Sequence, residues 1–205
     1  MIKYFVRTTG ERQLDSSYSQ IEYELLVDTE HKPVKSFIEQ LEIMNNYDSV
    51  LLEDDLILCK DFKKHIEEAI EKNSNIIINF FNAPFTYQDI KIDNDFSFQQ
   101  CRYFPKGSCK FISEKLKNYI NAKKVCPSLS RIAKEYDLKI MQYRPCLVQH
   151  LDNNSLVGNL YGFRHTFYFI DYLTELGITY EEASTKENKG KLIKLMKSKF
   201  TPTVR

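Results

Sequence analysis

Val50-Leu51-Leu52-Glu53-Asp54-Asp55-Leu56-Ile57-Leu58-Cys59 sets three consecutive carboxylates between two apolar pieces. A run of about eight mostly apolar residues, with Val and Ile among them, has the composition of a buried strand and its exit. Carboxylates are almost never found at such depth unless paired or bound to a cation, because stripping them of water is costly. On an extended backbone side chains alternate, so Glu53 and Asp55 are expected on one side and Asp54 on the other. Hard oxygen donors of this kind suit Mg2+ or Mn2+ better than zinc. The plainer alternative is an acidic turn after an edge strand.

On either side of this stretch, strands alternate with helices. Ile2 to Arg7 has the pattern of a first strand, closed by Thr8-Thr9-Gly10-Glu11-Arg12, and Glu24 to Asp28 is a second strand ending in an acid. Pro33 opens a helix on which Val34, Phe37, Ile38, Leu41 and Met44 follow at helical spacing. Asp61 is placed to cap the next helix, whose apolar face is Phe62, Ile66, Ala69 and Ile70. Asn75 to Phe81 is another strand. From Pro84 to Phe104 no period is visible, as in a functional loop. Helices are then expected over 113–120 (capped by Ser113), 128–136 and 163–175, with a strand over 138–143 between the second and third. This alternation predicts βαβ units, a largely parallel sheet flanked by helices, and ligands outside the carboxyl ends of the strands.

Composition narrows the function classes. With 29 basic and 28 acidic residues among 205, no global field favours nucleic acid or a membrane, so any useful charge is local. The odd cysteine count (Cys59, Cys101, Cys109, Cys126 and Cys146), without a CxxC pair, fits free thiols and a cytoplasmic location rather than a disulfide framework. No apolar run reaches the ~20 residues of a membrane span, and no signal-peptide core follows Met1. Gly10 stands alone, with no GxGxxG and no P-loop lysine. Three strand ends share one sheet edge: Arg7-Thr8-Thr9, Asp28 and Glu53-Asp54-Asp55. Arginine and threonine beside metal-binding acids suit a phosphorylated ligand, with Arg7 or Arg12 able to fork onto phosphate oxygens.

The succession of a strand with Arg7-Thr8 and Glu11-Arg12, then Val27-Asp28, then Val50 to Asp55, resembles the GT-A glycosyltransferases. The resemblance continues through Gly107 to Ser113, placed like that fold's acceptor-side strand. It ends with Pro145-Cys146-Leu147-Val148-Gln149-His150 and Ser155-Leu156-Val157-Gly158, similar to small phage-encoded and bacterial enzymes with an acidic DxD-type motif. It implies a nucleotide-sugar-binding catalytic domain over 1–160 and an aromatic, basic helical C-terminal extension over 161–205. It implies that Asp55 ligates Mn2+ or Mg2+, with Asp54 beside it in the catalytic centre. Glu53 and Asp54 would hold ribose hydroxyls and metal-bound water, Thr8, Thr9 and Asp28 would line the nucleoside pocket, and His150 would be a second metal or phosphate ligand. Ser155 would contact substrate from the turn after His150.

One departure stands out. Related enzymes carry an acidic cluster, a candidate general base, before the helix that precedes the last core strand, whereas Val125 to Ser130 holds no carboxylate. The base then comes from Asp93, Asp95 or Asp152, or the enzyme retains configuration, or catalysis has been lost. The expected function is transfer of a sugar from a nucleotide-diphosphate sugar to an acceptor left open among glycan, protein and modified DNA. A nucleotidyltransferase and a non-catalytic nucleotide-sugar-binding module are the alternatives. Residues 186–205 are expected either to pack their apolar side on the domain or to meet an anionic surface through their lysines.

Overall fold

The computed structural model describes residues 1–81, 91–93, 100–122, 124–151, 165–166 and 168–199, with backbone alone at 91–93. Strand β1 (Ile2–Thr8) alternates its side chains between two cores. Tyr4 and Val6 enter one, and Phe5 enters the other. Strand β3 (Asp48–Glu53) does the same, with Val50 and Leu52 on the first side and Leu51 on the second. Strands buried on both faces are apolar throughout, which is why these two were legible as near-continuous runs.

Among the described residues the central sheet has seven strands in the order β2-β1-β3-β7-β5-β8-β6, completed by β2 (Tyr23–Val27), β5 (Ile77–Asn79), β6 (Lys91–Asp93), β7 (Cys101–Phe104) and β8 (Ile140–Gln142). Five strands run one way; β7 and β6 run against them. Among the described residues, six helices flank this sheet. Helices α1 (Pro33–Met44), α3 (Ser108–Leu116) and α4 (Val125–Glu135) cover the face of Phe5 and Leu51. The other face takes α2 (Phe62–Lys72), α5 (Ile170–Leu176) and α6 (Lys186–Lys199). Each fully buried Leu, Ile or Phe in these layers contributes roughly 1.5–3 kcal/mol over exposure.

Two expectations change between Pro84 and Ser113. Cys101–Phe104 is a buried strand joining the two halves of the sheet, not part of a loop. Its Arg102 breaks any apolar run, so neither alternation nor continuity marks it. Residues 107–113 do not form a strand. Gly107 adopts φ +84°, and α3 starts at Ser108, before the expected Ser113 cap. Ser113 lies inside α3 and its hydroxyl donates back to Lys110 O at 2.9 Å. Asp61 likewise occupies the residue before α2 without capping it, being held at φ +55°. Gln20 does that work: its Oε1 accepts from Phe62 N at 3.3 Å and its Nε2 donates to Cys59 O at 3.0 Å.

The C-terminal segment is built into the first core. Tyr168, Phe169, Tyr172 and Leu173 are buried against the sheet, and Leu192 of α6 is fully buried with Leu195 and Met196 partly so. Phe163, Phe167 and Phe200 of the expected aromatic and basic stretches, and the boundary near residue 160, lie outside the described residues. No described helix is long and apolar enough to cross a membrane.

Candidate functional site

Strand β1 has β2 on one side and β3 on the other, so the chain reverses its direction of sheet growth between β1 and β3. Such a switch opens a crevice outside the carboxyl ends of the strands. Thr8 ends β1, Asp28 follows β2, and Glu53 ends β3, which puts all three at that edge. Asp28 N donates to Thr8 O at 2.8 Å, extending the β1–β2 ladder to its last residue.

The acidic triplet does not continue as an extended strand. The chain bends at Asp54 and Asp55, then resumes as β4 (Leu56–Leu58), which pairs antiparallel with β9 (Val148–His150). The alternation expected of Glu53, Asp54 and Asp55 therefore fails, because period two holds only while the backbone stays extended. Instead Asp54 and Asp55 converge on one guanidinium. Arg12 Nη1 is 3.0 Å from Asp54 Oδ1 and 2.6 Å from Asp55 Oδ2. Thr8 Oγ1 donates to Asp54 Oδ2 at 2.6 Å and accepts from Gly10 N at 2.8 Å. Gly10 takes φ +82°, a conformation open to glycine, and this turn brings Arg12 back to the strand end.

His150 arrives from the opposite side of the chain. The β4–β9 register sets it across from Leu56, and Leu151 N donates to Asp55 O at 2.7 Å. Its Nε2 stands 3.3 Å from Asp55 Oδ2, an ion-pair distance, while Nδ1 lies 2.6 Å from Leu151 O. Burial opposes charge on both partners, but their attraction prevails. Asp55 is held below its ordinary value, also by Arg12, and His150 is held above its own.

The sign of the resulting pH dependence is fixed. Between the ordinary values of 3.8 and 6.5, Asp55 is ionised and His150 protonated whether folded or unfolded, so the attraction is fully present. It is lost as pH rises through the raised His150 value and as pH falls through the lowered Asp55 value. Melting temperatures of wild type and His150→Gln should therefore differ more at about pH 5 than at about pH 9. An unchanging gap would mean that the imidazole acts through packing alone.

A segment with no local mark of belonging to the site holds it in place. Residues 16–20 form a 3-10 turn capped by Asp15, whose Oδ1 accepts from Ser17 N at 2.8 Å. Tyr18 OH donates to Glu53 O, and Ser17 Oγ accepts from Leu58 N at 2.9 Å. Asp15-Ser16-Ser17 is a recognisable capping signature. Nothing local shows that its far side grips the acidic bend. Gln100 was missed as well; it is buried, and its O accepts from Glu53 N at 3.0 Å.

Arg7 turns toward α1, with Nη2 3.4 Å from Pro33 O and its guanidinium 5.6 Å from the centre of the Phe37 ring. Of the two arginines, Arg12 is the one at the acids. Asp28 is buried and its Oδ1 accepts from Lys32 N at 3.3 Å. Thr9 Oγ1 is buried without a hydrogen-bond partner. Asp95, Asp152 and Ser155 lie outside the described residues, as does the side chain of Asp93. Where the resemblance calls for an acidic cluster, Pro127 and Ser128 line a hollow of about 300 Å³ with basic Lys124 and Arg131, and none of the residues above lines it.

Asp54 and Asp55 offer the hard oxygen donors that Mg2+ or Mn2+ takes. Both carboxylates reach Arg12, His150 reaches Asp55, and Asp55 Oδ1 is buried with no hydrogen-bond partner. Among the described residues, no group of three or more His, Cys, Asp and Glu is arranged to enclose an ion. An ion here would take one or two protein ligands and complete its shell with substrate oxygens and water, as Mg2+ commonly does.

No protein-family model matches the chain, and no curated protein does. Among solved structures, the crystal structure of A197 from STIV superposes with a TM-score of 0.46 at 11% identity, covering 74% of this chain and 86% of that one. A likeness of that degree says nothing about activity. What the chain shows directly is a mixed α/β domain with a mostly parallel central sheet, and a largely buried Thr8–Arg12–Asp54–Asp55–His150 cluster at its switch point.

Proposed function

We propose that the chain is a metal-dependent glycosyltransferase of GT-A architecture, moving a sugar from a nucleotide-diphosphate sugar to an acceptor hydroxyl. The observation that carries this reading is the meeting of Thr8, Arg12, Asp54, Asp55 and His150 at the β1–β3 edge, where a doubly wound sheet takes its ligands. Asp55 would hold Mn2+ or Mg2+, with Asp54 or His150 beside it. A bound divalent ion offsets the negative charge that builds on a departing diphosphate.

The chain's own residues supply the rest. Arg12 offers a planar fork of donors that matches phosphate oxygens. Thr9 and Asp28 sit on the β1–β2 side, which suits the nucleoside, and Glu53, at the end of β3, would meet ribose hydroxyls. During transfer the acceptor oxygen bonds to the anomeric carbon while the carbon–diphosphate oxygen bond breaks. The acceptor's proton passes to a base or to the leaving phosphate. Exposed Lys186, Lys191, Lys194 and Lys197 of α6 suit an acceptor, whether glycan, protein or modified DNA, that carries negative charge.

The test is product identity. With Mn2+ and a panel of uridine, guanosine and thymidine diphosphate sugars, transfer or slow hydrolysis releases a nucleoside diphosphate. Pyrophosphate released from nucleoside triphosphates would instead mean nucleotidyl transfer. Binding with no product from any donor would make the chain a nucleotide-sugar-binding module.

A further inference from the structure

We propose that Arg12 is the resident cation of the Asp54–Asp55 pair, competing with a divalent ion for the same carboxylates until a donor diphosphate draws it away. The inference rests on the donor reading above. Its ground is the position of Nη1, 3.0 Å from one carboxylate and 2.6 Å from the other, where a cation bridging the pair would stand. Arg12 is mostly buried, its side chain 14% exposed, so the competition is weakly screened by water and salt. Asp55 Oδ2 is already shared between Arg12 and His150, whereas Oδ1 is buried and unpartnered, leaving lone pairs for an incoming ion. An ion taking that oxygen beside Arg12 would place like charges within a few ångströms of each other, which raises its cost.

A diphosphate changes the balance by giving the guanidinium a second anion with matching fork geometry. Arg12 lies past the Gly10 turn, beyond the end of β1, so its side chain is carried by a loop and not by the sheet. Metal and donor then load together, and in the empty site Arg12 offsets one of the two negative charges of Asp54 and Asp55. Beside three consecutive acids, that offset lowers the repulsion the fold bears without an ion.

The measurement is Mn2+ binding to the full chain, followed by loss of the free-ion paramagnetic resonance signal in the absence of nucleotide. Arg12→Met keeps the aliphatic bulk and removes the charge, so it should bind Mn2+ about tenfold tighter or more than wild type. Arg12→Gln is a second neutral variant, should the first fold poorly, and is expected to behave alike. Arg12→Lys, which keeps a cation, should stay close to wild type. Equal or weaker Mn2+ binding by folded Arg12→Met or Arg12→Gln overturns the proposal, as does the failure of all these proteins to bind Mn2+. Titration with nucleoside diphosphates alone is a separate arm. Tighter Mn2+ binding in the neutral variants with no nucleotide bound by any protein would keep the cation competition and reject the donor reading.

Discussion

Asp55→Asn is expected to lose metal-dependent nucleotide binding while keeping the fold. The substitution preserves shape and removes the one charge shared by Arg12 and His150. Losing a buried charged partner costs about 2–5 kcal/mol of binding, which is on the order of 30-fold or more in affinity. Stability should fall less, by about 1–3 kcal/mol, because Arg12 keeps Asp54 and the imidazole of His150 can shed its proton. Calorimetric titration with a nucleoside diphosphate and Mn2+, beside a thermal melt, separates the two effects. Unchanged nucleotide affinity removes Asp55 from the site. A collapse of the melt with normal binding by the remaining folded protein would make the carboxylate structural.

Gln149→Ala is expected to cost about 3–5 kcal/mol of stability, the size of a buried truncation that also strands polar groups. Gln149 is fully buried and fastens β9 to Thr166 and, at 3.4 Å, to the Tyr172 hydroxyl of α5. Its Nε2 donates to Thr166 O at 2.7 Å, while Oε1 accepts from Thr166 N at 2.9 Å and His150 N at 3.1 Å. Truncation leaves those backbone groups without water or partner. It also frees β9, so His150 loses its alignment on Asp55. Urea unfolding should show the loss in the midpoint, with little change of slope. A loss under about 1 kcal/mol would show that Thr166 and His150 find other partners, and that the Gln149 link is dispensable.

Much of the architecture was legible because it depends on local pattern. β1 and β3 are apolar on both faces, and α1 carries Pro33 at its start with Val34, Phe37, Ile38, Leu41 and Met44 on one stripe, so their type follows from periodicity. The strand ends then place Thr8, Asp28 and Glu53 at one edge, since parallel strands joined by helices share their carboxyl ends. β7 was illegible for the opposite reason: a central strand bearing Arg102 and bounded by polar sequence has no pattern to detect.

That three acids leave a buried strand and need positive charge is readable from residues 50–59 alone. Where that charge comes from is set by contacts between distant segments. Arg12 lies more than forty residues from Asp54 and Asp55 in the chain, and His150 almost a hundred beyond them. They meet because a Gly10 turn, the Tyr18 and Ser17 contacts, and the β4–β9 pairing close separate loops on one point. Such long-range pairing depends on register between distant segments, about which local composition carries no information.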